Sequence, residues 1–221
     1  EIRAITADLL RYQSSALSFR DKYMALPGDM TNATSFWGAQ HATPATCITT
    51  ASTTAATCNG NGNGQIASSG TTDAYEQFRG WQQLANAGLI EGSYSGILIT
   101  PDPAARVGTN IPAGRISNTG WGLIYLGALT GGVAFDGNYN HVFIFGAQHA
   151  TAYFPSMPTL KAEEAWSIDT KLDDGKPGYG NVFTQKNTHR PNCVSTDDSS
   201  TAVYQLTDTT KGCDIWFKAG F

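Results

Sequence analysis

The sequence has little charge and no concentration of basic residues. Asp, Glu, Lys and Arg together make up 14% of its 221 residues, and the formal net charge is −4. A nucleic-acid partner needs a basic face that neutralises phosphates, so this composition predicts that no nucleic acid is bound. The 24 glycines, with many Thr, Ser and Asn residues, favour a loop-rich protein outside the cytosol.

A run of 18 apolar residues and an N-terminal signal peptide are both missing. The first absence excludes a membrane-spanning helix within these residues. The second, with Glu1 in place of an initiator Met, leads us to expect a processed or truncated form of a longer protein.

Catalytic and transition-metal motifs are missing as well. Residues 92–96 come nearest to a G-x-S-x-G nucleophile turn, but Tyr94 stands where that motif needs Ser. No H-E-x-x-H motif accompanies the four histidines, which are His41, His141, His149 and His189. Surface or hydrogen-bonded histidines are favoured over a catalytic or metal site, and we predict that the chain is not an enzyme and needs no cofactor.

Two segments offer oxygen ligands to calcium. The first has Asn59, Asn61 and Asn63 at the spacing of EF-hand ligands, followed by Gly64 and Ile66. Its ligands are neutral amides, and the twelfth position is Gly70 rather than Glu. A glycine-rich turn in which Asn takes left-handed conformations is therefore the favoured interpretation.

The second calcium candidate is a cluster of aspartates, Asp169, Asp173 and Asp174. Asp173 and Asp174 are adjacent at the predicted C-terminus of a helix, where the helix dipole disfavours carboxylates. Asp169 lies four residues before Asp173 on the same face and repels it. A calcium ion, or a Lys or Arg partner, would relieve this repulsion, and salt bridges or solvation are favoured.

The four cysteines form two pairs that are close in sequence. Of three possible pairings, this proximity favours Cys47 with Cys58 and Cys193 with Cys213 over the others and over free thiols. Disulfides predict an oxidising compartment, which is the periplasm or the cell surface.

The first 26 residues have the pattern of an amphipathic helix. Apolar residues recur at spacings of three and four, which predicts one helical stripe. These residues are Ile2, Ile5, Leu9, Tyr12, Ala16, Phe19 and Tyr23. No cap precedes the helix, and Pro27-Gly28-Asp29 is expected to end it.

The remaining residues predict a sheet with further helices. We expect a polar surface loop over residues 42–70, a helix over 73–87 with Asp73 and Glu76 as a capping box, and a helix over 160–172 capped by Thr159. Strands are predicted at residues 96–100, 120–126, 141–146, 181–185, 201–206 and 214–218. The fold class is α+β: a long N-terminal amphipathic helix (residues 1–26) packed on a mainly antiparallel sheet with extra helices and loops, in one domain with residues 27–221.

Several segments also carry a resemblance to a known family. They are EIRA (residues 1–4), FRDKYMALPGDM (19–30) with Asn32-Ala33, GNGNGQI (60–66), EQFRGWQQL (76–84), GLIEG (88–92) and IDTKLDDGKPG (168–178). In their order and spacing, over about residues 1–180, they resemble the type IV pilins and the pseudopilins of type II secretion. The resemblance is closest to a group of large prepilin-like proteins.

The resemblance implies a structural subunit of a type IV pilus or of a pseudopilus, assembled through its N-terminal helix. A preceding apolar helix would anchor the subunit in the inner membrane, and the domain formed by this sequence would lie in the periplasm before assembly. The partners would be other pilin subunits. Some pseudopilins bind calcium in a C-terminal loop, but that loop cannot be mapped onto this sequence.

An alternative is a minor pilin whose domain acts as an adhesive or ligand-binding tip. The Thr-rich loop between Cys47 and Cys58 would then contact a host or surface ligand. Exposed tryptophans could contact sugars, although helical spacing predicts that Trp81 and Trp166 belong to the core. The other tryptophans are Trp37, Trp121 and Trp216.

Overall fold

The N-terminal helix is followed by smaller helices and an antiparallel sheet. The protein is represented by a computed structural model that describes residues 2–43, 55–68, 75–99 and 105–221. The helices are α1 (Ile2–Tyr23), α2 (Thr34–Trp37), α3 (Glu76–Asn86) and α4 (Ala162–Leu172). The strands are β1 (Thr119–Tyr125), β2 (Ala128–Leu129), β3 (Gly137–Asn138), β4 (His141–Ala147), β5 (Val182–Phe183) and β6 (Ile215–Lys218). The predicted α+β class with an antiparallel sheet is confirmed.

The main sheet has the strand order β1-β4-β6-β5, and every neighbouring pair is antiparallel. Strand β4 lies in the middle, with Phe143 opposite both Leu123 of β1 and Phe217 of β6. Strands β2 and β3 form a separate two-stranded ribbon.

Both faces of the main sheet are buried. Alternate residues of β4 belong to two cores, since Phe143 and Phe145 face the helices whereas Val142 and Ile144 face the opposite side. This arrangement explains the uninterrupted apolar sequence of β4, because a strand covered on both faces needs apolar residues at every position. The core on the side of the sheet away from the helices is closed by Phe154 and by residues of the segment that follows β1.

Helix α1 packs against the core that lies on the helical side of the main sheet. Its apolar stripe meets α3 and the sheet, where Tyr12 makes edge-on contacts with Trp81 (ring centroids 5.0 Å apart) and with Trp121 (5.6 Å). The helix ends at Tyr23, not at Leu26 as predicted, and Met24 takes a left-handed conformation with φ 54°. The turn at Met24 redirects the chain before Pro27 can end the helix.

Helices α3 and α4 are shorter than predicted. Asp73 lies outside the described residues, and the carboxylate of Glu76 accepts hydrogen bonds from Asn61 and Ala67 instead of closing a capping box. Thr159 does not cap α4, because the helix begins at Ala162 and Lys161 holds the N-cap position. Helix α4 begins at Ala162, where Glu164 accepts a hydrogen bond from the N–H of Lys161 (2.9 Å).

Two predicted strands are wrong within the described residues. Residues 96–99 are not a strand, because Gly96 has φ 68° and the carbonyl of Ser95 is bound by the side chains of Gln82 and Gln40. Residues 201–206 begin with a turn and share only an isolated bridge with residue 194. The predicted strand over 181–185 shortens to β5, those over 120–126, 141–146 and 214–218 are confirmed within two residues, and α2, β2 and β3 were not predicted.

Candidate functional site

The predicted assembly residues lie on the inner face of α1. Five of them are buried against the described part of residues 27–221, which we call the head, and the two at the ends of the helix are half-buried. The buried ones are Ile5, Leu9, Tyr12, Ala16 and Phe19, and the half-buried ones are Ile2 and Tyr23. The surface of α1 that another molecule could reach is therefore the opposite face.

That opposite face is exposed along the helix. It carries mainly small and charged side chains around Leu10, which is 56% exposed. Its exposed residues are Arg3, Ala7, Leu10, Ser14, Ser18 and Asp21. The small side chains at Ala7 and Ser14 leave room for another helix to pack against Leu10.

Residues 59–67, which we call the clamped loop, are held from three directions. Every backbone N–H from Gly60 to Ala67 donates a hydrogen bond to an acceptor described below. The acceptors belong to the segment after α1, to α3, to β4 and to the loop itself. Three of the segments that carry the family resemblance thus meet at one place.

Asp29 is the main acceptor for the clamped loop. One carboxylate oxygen accepts from the N–H groups of Gly62 (2.7 Å) and Asn63 (3.0 Å), and the other accepts from Gly64 (2.9 Å). Asp29 is only 3% exposed. Successive N–H groups that converge on one anion form a backbone nest, and here the anion is a side chain of the same protein.

Glu76 holds the two ends of the same loop. Its carboxylate oxygens accept from the N–H of Asn61 and from that of Ala67, each at 3.0 Å. Burial raises the pKa of Glu76 to about 7, while the two backbone hydrogen bonds act in the opposite direction. This buried carboxylate fixes the N-terminus of α3 to the loop.

Polar residues further along α3 complete the clamp. The Gln83 side chain accepts from the N–H of Gly28 (2.7 Å) and donates to the carbonyl of Cys58 (3.1 Å). Arg79 donates to the carbonyl of Asn59 (2.5 Å). Helix α3 therefore buries its polar face as well as its apolar one, which its amphipathic pattern did not predict.

The asparagine side chains of the clamped loop bond to the backbone. The side-chain oxygens of Asn59, Asn61 and Asn63 each accept a hydrogen bond from a backbone N–H group. The left-handed positions are taken by Gly62 (φ 74°) and Gly64 (φ 79°), not by asparagines as we predicted. The prediction of a surface loop over residues 42–70 is wrong for residues 57–58 and for Ile66. These residues are buried because they pack under α3 and β4.

Asp169, Asp173 and Asp174 do lie together, with ligand atoms within 4.8 Å of one another. Their oxygens also accept protein hydrogen bonds: Asp169 from Tyr204 (2.9 Å) and Gly175 (3.0 Å). Asp173 accepts from the N–H groups of residues 181 and 182, and Asp174 from that of residue 176. Burial raises the pKa of Asp169 to about 7, and the two neighbouring aspartates add to this increase. The cluster closes the turn after α4, and calcium binding there stays a prediction.

One of the two predicted disulfides is formed. Cys193 and Cys213 are joined with their Cα atoms 5.0 Å apart, beside the strand β6. Cys47 lies outside the described residues, as does most of the Thr-rich loop, so its pairing with Cys58 and the role of that loop stay predictions.

Three histidines have structural hydrogen bonds. His141 is buried, and its Nε2 accepts from the N–H of Ile66 (3.1 Å), so Nδ1 carries the proton toward the carbonyl of Phe221 (3.3 Å). His41 and His149 accept from nearby backbone N–H groups through Nδ1. The predicted hydrogen-bonded role fits these three.

The tryptophans divide between core and surface. Trp81, Trp121 and Trp216 are fully buried. Trp166, predicted to be in the core, is 39% exposed because it lies over the turn at Gly175 instead of facing the sheet. Trp37 is partly buried against Phe19 and Tyr23.

Comparisons with protein-family models, with curated proteins and with solved structures found no match. Among the described residues, no helix is long and apolar enough to cross a membrane.

The sequence did not predict that Asp29, Glu76 and Gln83 hold the clamped loop. A signal was present in the alternating glycines of residues 60–64, because repeated glycine indicates close approach of another backbone. A Cβ at Gly60 would lie 2.3 Å from the carbonyl oxygen of Gly28. The glycine pattern therefore indicates that another part of the backbone comes close to this loop, but it does not identify which part.

Proposed function

We propose that this protein is a structural subunit of a filament, of the type IV pilin or pseudopilin class, and that it assembles through α1. The two-sided character of α1 is the observation that carries this proposal. One face of the helix is buried in the head, which fixes the helix to it, while the other face is exposed along the helix. An oriented helix of this kind can join one subunit to the next.

The physical argument concerns how subunits repeat. A contact between two different surfaces of the same molecule, repeated without ring closure, generates a helical filament. The exposed face of α1 offers one such surface, with Leu10 at its centre and small side chains at Ala7 and Ser14 beside it. The proposed partners are further pilin subunits, and the proposed anchor is an apolar helix preceding Glu1 in the membrane.

Two further features support the proposal. The segments that resemble the pilin family meet in the clamped loop, where FRDKYMALPGDM, GNGNGQI and EQFRGWQQL are joined by hydrogen bonds. The Cys193–Cys213 disulfide is consistent with an oxidising compartment such as the periplasm or cell surface.

The test is to express variants of the gene in the cells that produce the protein and to count the filaments that form. Antibodies against the head should label surface or periplasmic filaments in electron micrographs. Leu10→Arg should abolish or strongly reduce those filaments, because it places a charged, bulky side chain in the proposed helix contact. An exposed substitution of this kind should change the free energy of unfolding of the head by less than about 0.5 kcal/mol.

Val203→Arg is the matched control. Val203 is an exposed aliphatic residue (60% exposed) that is not part of α1 and lies in the segment closed by the Cys193–Cys213 disulfide. Val203→Arg should leave the number of filaments unchanged. Unlabelled filaments, or normal assembly by Leu10→Arg, would contradict the proposal.

A further inference from the structure

The clamped loop contains three successive Asn–Gly pairs: Asn59-Gly60, Asn61-Gly62 and Asn63-Gly64. Asn–Gly is chemically the most labile asparagine dipeptide, since glycine hinders neither of the reacting groups. The backbone nitrogen of glycine loses its proton and attacks Cγ of the asparagine side chain. Ammonia leaves, and water then opens the cyclic imide to aspartate or isoaspartate. Asn61 and Asn63 are exposed to water.

The nitrogens that would attack are those of Gly60, Gly62 and Gly64, and they do not all bond to the same kind of acceptor. The N–H of Gly62 donates to Asp29 Oδ1 (2.7 Å), and that of Gly64 donates to Asp29 Oδ2 (2.9 Å). The N–H of Gly60 instead donates to the carbonyl of Met30 (2.8 Å). Two of the three nitrogens are thus bound to one buried carboxylate.

We propose that Asp29 protects Asn61 and Asn63 from deamidation by holding the protons of the two nitrogens that would attack them. A hydrogen bond to a charged acceptor is stronger than one to a neutral acceptor. The attack also requires an amide anion, and a neighbouring carboxylate disfavours that negative charge. Asp29 therefore acts on the nucleophile itself as well as on the loop geometry.

The side chains of the two asparagines are oriented as well. Asn61 Oδ1 accepts from the N–H of Asn63, and Asn63 Oδ1 accepts from that of Gln65, each at 2.8 Å. These bonds leave the amide groups exposed but fixed relative to the backbone. Without Asp29, each glycine nitrogen would remain beside an oriented amide and would lose its charged partner.

The experiment follows deamidation site by site. The purified protein and Asp29→Asn are incubated at neutral pH, and peptide mass spectrometry measures aspartate and isoaspartate at each of the three asparagines. Asparagine keeps the size of the side chain but replaces one acceptor oxygen with a donor. We expect Asn61 and Asn63 to deamidate at least about tenfold faster, which corresponds to about 1.4 kcal/mol of activation free energy. Asn59 is the internal control and should change little.

Asp21→Asn is the matched control, because Asp21 is an exposed carboxylate on α1. It should leave all three rates at wild-type values. Equal acceleration at Asn59, Asn61 and Asn63, or wild-type rates in Asp29→Asn, would overturn the proposal.

Hydrogen exchange of the wild-type protein tests the same idea without a variant, because base-catalysed exchange passes through the same amide anion. The amides of Gly62 and Gly64 should exchange more slowly than that of Gln65, whose acceptor is the neutral side chain of Asn63. Exchange at Gly62 and Gly64 as fast as at Gln65 would overturn the proposal even if Asp29→Asn failed to fold.

Discussion

At Gly28 the backbone passes so close to α3 that a side chain has no room. A Cβ there would lie 2.2 Å from the carbonyl oxygen of Glu76 and 3.0 Å from the nitrogen of Gly80. Gly28 also has φ 94°, a conformation that side chains disfavour. Its N–H donates to Gln83, so moving the backbone away would break a buried hydrogen bond.

Gly88 also has a positive φ, but it lacks the crowding found at Gly28. It follows α3 with φ 71°, and a Cβ there would meet nothing within 4 Å. We predict that Gly88→Ala costs about 1 kcal/mol of unfolding free energy, from the left-handed conformation alone. Gly28→Ala should cost at least about 3 kcal/mol, because steric overlap and a displaced hydrogen bond are added. Urea denaturation of both variants measures the difference, and equal costs would show that the approach to α3 is not tight.

Sequence predicted local features at this scale better than contacts between distant residues. The predicted C-terminus of α3 at residue 87 lies one residue from the observed end at Asn86, where Gly88 follows in a left-handed conformation and acts within its own helix. The pairing of Gly28 with Gly80 depends on residues about 50 positions apart, for which a single sequence contains no distance information. The glycines indicate that two backbone segments come close together, but they do not show that Gly28 pairs with Gly80.

At the scale of elements, α3 differs most from its sequence pattern. Trp81 was predicted to lie in the core, and Phe78, Trp81 and Leu84 are all fully buried. The residues between them are buried too, because the clamped loop and the segment after α1 cover the polar face. Hydrophobic periodicity predicts which side of a helix is apolar, and it contains no information on what covers the other side.

Gln83 provides the test of that second face. We predict that Gln83→Met destabilises the protein by about 2–4 kcal/mol, because the N–H of Gly28 and the carbonyl of Cys58 both lose their buried partner. Gln13→Met is the control: Gln13 is half-buried on α1 and makes one long bond to the carbonyl of Lys218 (3.3 Å). Its cost should stay below about 1 kcal/mol. A similar cost for the two variants in thermal denaturation would mean that the polar face of α3 contributes little.

At the scale of the whole molecule, buried ionisable groups link stability to pH. Burial raises the pKa values of Glu76 and Asp169 to about 7, so between pH 4.5 and about 7 the folded state binds protons that the unfolded state has released. Their contribution to stability is complete below the unfolded values and is lost as pH rises through about 7. His141 acts in the opposite direction, because burial lowers its pKa and its contribution is lost as pH falls below the unfolded value of 6.5.

Asp169 allows this linkage to be tested with little change in geometry. Its oxygens accept from the N–H of Gly175 and from the hydroxyl of Tyr204. In Asp169→Asn the amide oxygen can still accept from Gly175, and the amide nitrogen can donate to Tyr204, since a hydroxyl both donates and accepts. The substitution therefore removes the titration while keeping two hydrogen bonds.

We predict that the free energy of unfolding of Asp169→Asn falls less steeply than that of the wild type as pH rises from about 4 to about 7. The difference in slope should approach 1.4 kcal/mol per pH unit, the value for one proton, at about pH 5–6. Urea denaturation across this range measures both slopes, with Glu163→Gln, an exposed carboxylate on the same helix, expected to run parallel to the wild type. If Asp169→Asn also ran parallel to the wild type, Asp169 would be ionised in the folded state over this range, and the pH dependence would have to come from Glu76 and other buried groups.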